Sequence, residues 1–108
     1  MDKDSWDRLS WDRKSFLLLR RFAPFYYLEK SCLMKNGIRT HVEPYALSIA
    51  AESHIKLRSL QSQYISQLTH LLIGDNTPDI YDLWKFVTAT PSERCLAAYN
   101  CLEGSTCS

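Results

Sequence analysis

Residues 44–73 read PYALSIAAESHIKLRSLQSQYISQLTHLLI, thirty positions with no Gly and no Pro after the first. The run is entered through His41-Val42-Glu43-Pro44, where the fixed φ and missing N–H of proline suit a first helical turn. It is left through Gly74-Asp75-Asn76, residues that tolerate the left-handed conformation in which helices end. Within it Leu47, Ala50, His54, Leu57, Gln61, Tyr64, Leu68 and Leu71 recur in alternating steps of three and four, and Leu60, Ile65 and Leu72 widen the face. Glu52, Lys56, Ser59, Gln63 and Gln67 lie opposite, with Glu52 and Lys56 a favourable i,i+4 pair. The pattern predicts one helix from Pro44 to Ile73, roughly 45 Å long at about 1.5 Å per residue, with Leu47, Leu57, Tyr64, Leu68 and Leu71 buried.

Upstream stands a short repeat, Ser5-Trp6-Asp7-Arg8 and Ser10-Trp11-Asp12-Arg13. A period of five turns about 140° around a helix, so the two tryptophans serve different packing roles rather than one tandem motif. Ser5 or Ser10 can cap a helix whose stripe is Trp11, Ser15, Leu18, Phe22 and Phe25. Pro24 should kink or break it near Phe22-Ala23. The segment from Pro24 to Lys35 is apolar nearly all round and predicts a helix that is buried or meets a partner, stopped by Asn36-Gly37.

Downstream, one helix-start signal is written twice, Thr77-Pro78-Asp79-Ile80 and Thr90-Pro91-Ser92-Glu93, the second completing a capping box. The first helix places Ile80, Leu83, Trp84 and Val87 on one face, and the second carries Cys95, Leu96, Tyr99 and Leu102 until Gly104 stops it. The expected fold is all-α: a single domain over 1–108, an irregular four- to five-helix bundle with the Pro44–Ile73 helix as its spine. The last two helices should pack across the long pair, and residues 1–4 and 105–108 should fray.

Composition supports a globular helical chain: 45% hydrophobic, 23% charged, and only three Gly and four Pro. The apolar run Phe16 to Leu19, like every other in the chain, is far short of a membrane span, and no basic stretch precedes an apolar one at the N-terminus. A cytosolic location with no membrane contact is the expectation. The net charge of +1 excludes a strongly basic nucleic-acid protein, although residues 1–43 hold nine Lys/Arg against six Asp/Glu and residues 74–108 two against five. Cys95, Cys101 and Cys107 are spaced by six, which fits no common zinc pattern, and with Cys32 they read as reduced thiols.

The sequence holds no Gly-rich phosphate loop, no serine elbow and no His-Glu-x-x-His pairing. His54 falls on the apolar stripe and reads as a half-buried helix histidine rather than a general base. No enzyme activity, cofactor or metal is expected. Arg13, Lys14, Arg20 and Arg21, flanked by Trp6 and Trp11, are the candidate nucleic-acid contacts, but interspersed aspartates cancel much of their field. The two Thr-Pro helices have a helix-turn-helix spacing in an acidic region, which works against DNA docking.

Three Trp, six Tyr and four Phe exceed what so small a core encloses. Some of Trp6, Phe25, Tyr26, Tyr27 and Trp84 should therefore reach the surface, where aromatics are the material of protein interfaces; Phe25, Tyr26, Tyr27 and Trp84 are the interface candidates, with Gln61 a polar residue in the helical seam. The chain therefore reads as a non-catalytic regulatory or accessory protein that binds another protein and pairs with itself as a homodimer. In size and texture it resembles the small accessory proteins of bacterial mobile elements. Nucleic-acid binding through the N-terminal basic face or the Thr-Pro helix pair is the alternative.

Overall fold

The computed structural model describes residues 1–74 and 79–105 of the chain. In chain order the elements are α1 (Lys3–Asp7), α2 (Trp11–Leu19), β1 (Tyr26–Glu29), β2 (Cys32–Lys35), β3 (Ile38–Arg39), α3 (Pro44–Leu57), α4 (Gln61–Ile73), a 3-10 turn (Ile80–Asp82), α5 (Leu83–Val87) and α6 (Pro91–Ser105). The expectation of an all-α fold is overturned by the three-stranded antiparallel sheet, in the order β1-β2-β3. Helix still dominates.

The thirty-residue stretch is two helices, not one. The break is a fully formed Schellman motif: Ser59 adopts a φ of +57°, its N–H donates to the Lys56 carbonyl (3.1 Å), and the Leu60 N–H reaches back to the Ile55 carbonyl (3.0 Å). Glycine ordinarily occupies that left-handed position, so a serine there carries no obvious signal in the sequence. The corner turns Leu57 out to 83% exposure, although Leu47, Tyr64 and Leu68 are buried as the stripe predicts. Leu71 is half-buried. The outer ends behave as read. Pro44 opens α3 behind Glu43, whose carboxylate accepts from the Ala46 N–H, and Gly74 closes α4 at a φ of +80°.

The segment from Pro24 to Lys35 is a hairpin rather than a helix. Lys30 and Ser31 (φ +51° and +64°) form a two-residue connection between β1 and β2, and Asn36 and Gly37 (φ +55° and +78°) form another between β2 and β3. Paired positive φ values mark type I′ turns, whose twist matches that of the strands. Asn36-Gly37 is thus a hairpin turn and not the predicted helix stop. Its partner Lys30-Ser31 lacks the usual Asn or Gly and hides the first turn. Side chains on β1 alternate between half-buried and exposed, the period of a one-sided sheet. The Tyr27 hydroxyl accepts from the Gly37 N–H (3.1 Å), and the Asp12 carboxylate accepts from the Leu33 N–H (3.2 Å), tying the hairpin to α2. Helix α2 itself ends at Leu19, well before Pro24.

The spine is α6. Its Cys95, Leu96, Ala97, Ala98, Tyr99, Cys101 and Leu102 are all buried, and it packs along α3, α4 and α2. Thr90 and Glu93 form the expected capping box, with reciprocal bonds of 2.9 and 3.1 Å. Gly104 does not stop this helix, which continues to Ser105. The Thr77-Pro78 signal and residues 106–108 lie outside the described residues. At the other end, residues 1–4 are held rather than frayed: Asp2 caps α1, and Met1 bonds Asn100 of α6 in both directions (2.8 and 2.9 Å).

The two repeat tryptophans do take separate roles. Trp6 is enclosed beside Tyr99, with ring centroids 5.9 Å apart, and its indole N–H donates to the Ser92 hydroxyl (3.1 Å). Trp11 is half-buried and donates to the Val42 carbonyl (2.7 Å).

Candidate interaction surface

Asp79 starts the segment of interest. Its carboxylate accepts from the N–H groups of Tyr81 and Asp82, while the Asp82 carboxylate accepts from the Asp79 N–H, a reciprocal capping box. The chain then runs through the 3-10 turn into α5, and Lys85 closes on Asp82 at 3.5 Å. Phe86 is the residue turned inward, packed against the core, and its carbonyl accepts from the Arg94 guanidinium of α6 at 3.5 Å.

Everything else apolar in this segment faces water. Ile80 is 74% exposed, Tyr81 83%, Leu83 58%, Trp84 70% and Val87 68%. The sequence correctly groups Ile80, Leu83, Trp84 and Val87, but that face does not pack across the bundle as expected. One phenylalanine suffices to dock so short a helix, which leaves its broader apolar side open.

The remaining predicted interface residues sit on other elements. Phe25 is exposed and lies 5.1 Å from Tyr26, and the Lys35 ammonium stands over both rings at 5.0 and 5.3 Å. Tyr27 is partly committed to the hairpin through Gly37. Gln61 is exposed at the first position of α4, so the helix break removes it from any continuous seam. Ile38 on the short edge strand β3 is a further exposed apolar residue, outside the predicted helix.

The basic residues are dispersed in their roles. Arg13 and Arg20 are exposed, but Lys14 lies over the Trp6 ring (5.8 Å), and Arg21 reaches Glu103 (3.8 Å) and the face of Tyr99 (6.0 Å). Helix α6, which would have to enter a groove in a helix-turn-helix, is the most enclosed helix of the fold.

Buried and half-buried titratable groups meet where α3, α4 and α6 pack. Glu52 accepts from the Tyr64 hydroxyl (2.8 Å) and faces Arg94 at 3.9 Å, joining α3, α4 and α6. Burial, with the Glu52 bond behind it, holds the Tyr64 phenol far above its usual value. Burial pushes the Cys95 thiol up to about 12, and raises Cys101 as well, so neither is an activated nucleophile. Cys107 lies outside the described residues. His54 stacks on Phe22 with centroids 5.2 Å apart, and burial together with Arg58 lowers its pKa.

An open groove of about 570 Å³ runs between α1, α4 and α6, lined by Lys3, Gln67, His70, Asn100 and Glu103 among others. Among the described residues no three His, Cys, Asp or Glu side chains gather to hold a metal ion, and no helix is long and apolar enough to cross a membrane. Comparison with protein families, curated proteins and solved structures finds no match.

Proposed function

We propose that the protein is a non-catalytic regulatory or accessory protein of the cytoplasm that binds another protein through the outward face of residues 80–87. The observation that carries this reading is the exposure of five large apolar side chains within eight residues. A buried aromatic contributes about 150–250 Å², so Tyr81 and Trp84 alone present roughly 300 Å². With Ile80, Leu83 and Val87 the face exceeds the few hundred Å² that monomers tolerate and approaches the about 800 Å² per partner of a standard interface. The capping box and the Phe86 anchor hold the face in shape before any partner arrives, which reduces the ordering cost of binding. Tyr and Trp are the residues that most often dominate such contacts. Self-association belongs to the same reading, because a second copy is the commonest partner of an open helical surface.

The test is affinity capture from the native host with the wild-type chain and a Tyr81→Ser/Trp84→Ser double variant. A partner held by the wild type and lost by the variant, with the melting temperature of the two chains within about 2 °C, is the expected result. Equal retention by both chains would refute the assignment of this face.

A further inference from the structure

Three unfavourable features coincide at the corner between α3 and α4. Ser59 sits in the left-handed region that non-glycine residues avoid. Leu60, the N-cap of α4, supplies no side-chain bond to the free N–H groups of the first turn. Leu57 is 83% exposed, the joint-highest value among the exposed large apolar residues. A continuous helix through residues 58–60 removes the first two at once, since every N–H from Gln61 to Gln63 then finds a carbonyl four residues back. The apolar stripe runs through the corner without a phase slip, as the steps Leu57 to Gln61 to Tyr64 show.

We propose that the corner opens and that two copies of the chain exchange everything beyond Ser59, forming a domain-swapped dimer around straightened α3–α4 helices. The contacts that join the two halves are extensive and specific. Trp6 on Tyr99, Trp6 on Ser92, Arg21 on Glu103, and Glu52 on both Tyr64 and Arg94 all cross from one half to the other. Each re-forms unchanged between two copies, so the balance between monomer and dimer is set at the corner itself, where the closed form holds the strained residue. Leu57 and Gln61 of the two straightened helices then lie at the new junction, where a second copy can cover the leucine. This inference does not depend on the 80–87 face.

The experiment compares wild type, Ser59→Ala and Ser59→Gly, each refolded as the full chain at high concentration and analysed by size-exclusion chromatography with light scattering. Glycine favours the closed corner and alanine the straight helix, so the two variants should differ by about tenfold or more at each hinge. Two hinges per dimer compound to about a hundredfold in the dimerisation constant. The dimer should also survive dilution for hours, because its halves separate only by unfolding, and Trp84→Ser should leave it unchanged. Identical distributions for Ser59→Ala and Ser59→Gly would overturn the proposal, as would a monomer in all three chains. A dimer that dissociates on dilution and is abolished by Trp84→Ser would also overturn it, while leaving the proposed 80–87 face supported.

Discussion

Leu47 and Leu57 occupy equivalent places in the apolar stripe, and the stripe alone assigns the same loss to truncating either one. The structure separates them. Leu47 is 0% exposed, so Leu47→Ala leaves a cavity and should cost about 2–5 kcal/mol. Leu57 is 83% exposed, so less than a fifth of its side chain leaves water on folding. Full burial of a leucine is worth about 1.5–3 kcal/mol, which leaves roughly 0.5 kcal/mol at stake, and the slightly better helix propensity of alanine offsets part of that. In a domain near 100 residues 1 kcal/mol moves Tm by about 4–8 °C. Thermal unfolding followed by circular dichroism, in the Ser59→Gly background that keeps the corner closed, should therefore show a fall of about 8 °C or more for Leu47→Ala and about 4 °C or less for Leu57→Ala. Equal, large losses would mean that Leu57 is enclosed and that the corner is not where the structure places it.

Two further outcomes concern the half-buried His54 and the buried Cys95. The fold lowers the pKa of His54 from 6.5, so as the pH falls below that value the unfolded chain takes up its proton first; stability tied to the neutral ring is complete above pH 6.5 and is lost on acidification. His54→Gln should flatten the dependence of Tm on pH between about 5 and 7, and an unchanged slope would refute this role. Cys95, buried and pushed up to about 12, remains a thiol at pH 8, so alkylation read by mass spectrometry should label Cys32 ahead of Cys95 and Cys101; prompt labelling of Cys95 in the folded chain would contradict its burial.

Punctuation with a single physical meaning was readable in the sequence. Pro44 at a helix start, Gly74 at a helix end and the Thr90–Glu93 box all stand where their chemistry puts them. Punctuation with two meanings was not. Asn-Gly serves a helix end and a type I′ turn equally well, and only pairing with β2 decides between them at Asn36-Gly37. Ser59 and the Lys30-Ser31 pair adopt positive φ because their surroundings impose it, and no residue type announces that. The candidate surface was half legible. The spacing of Ile80, Leu83, Trp84 and Val87 is visible, but whether a stripe faces core or solvent depends on what else fills the core. Here α6 fills it, with small residues such as Ala97 and Ala98 that carry no strong helical stripe of their own.

The central placement of α6 also orders the events of synthesis. Its partners Trp6, Met1 and Arg21 are made more than eighty residues earlier, and they have nothing to close upon until α6 is translated. At about 5–20 residues per second, the interval between the first of these residues and α6 is roughly 5–20 s. From the completion of α4 until α6 follows, the inner faces of α2, α3 and α4 are on display together in a nascent chain. Contacts so distant along the chain slow folding as well, since each requires a long loop to close first. A ribosome stalled before residue 91 therefore carries a chain that lacks the helix on which α2, α3 and α4 close, and such chains on neighbouring ribosomes meet at high local concentration.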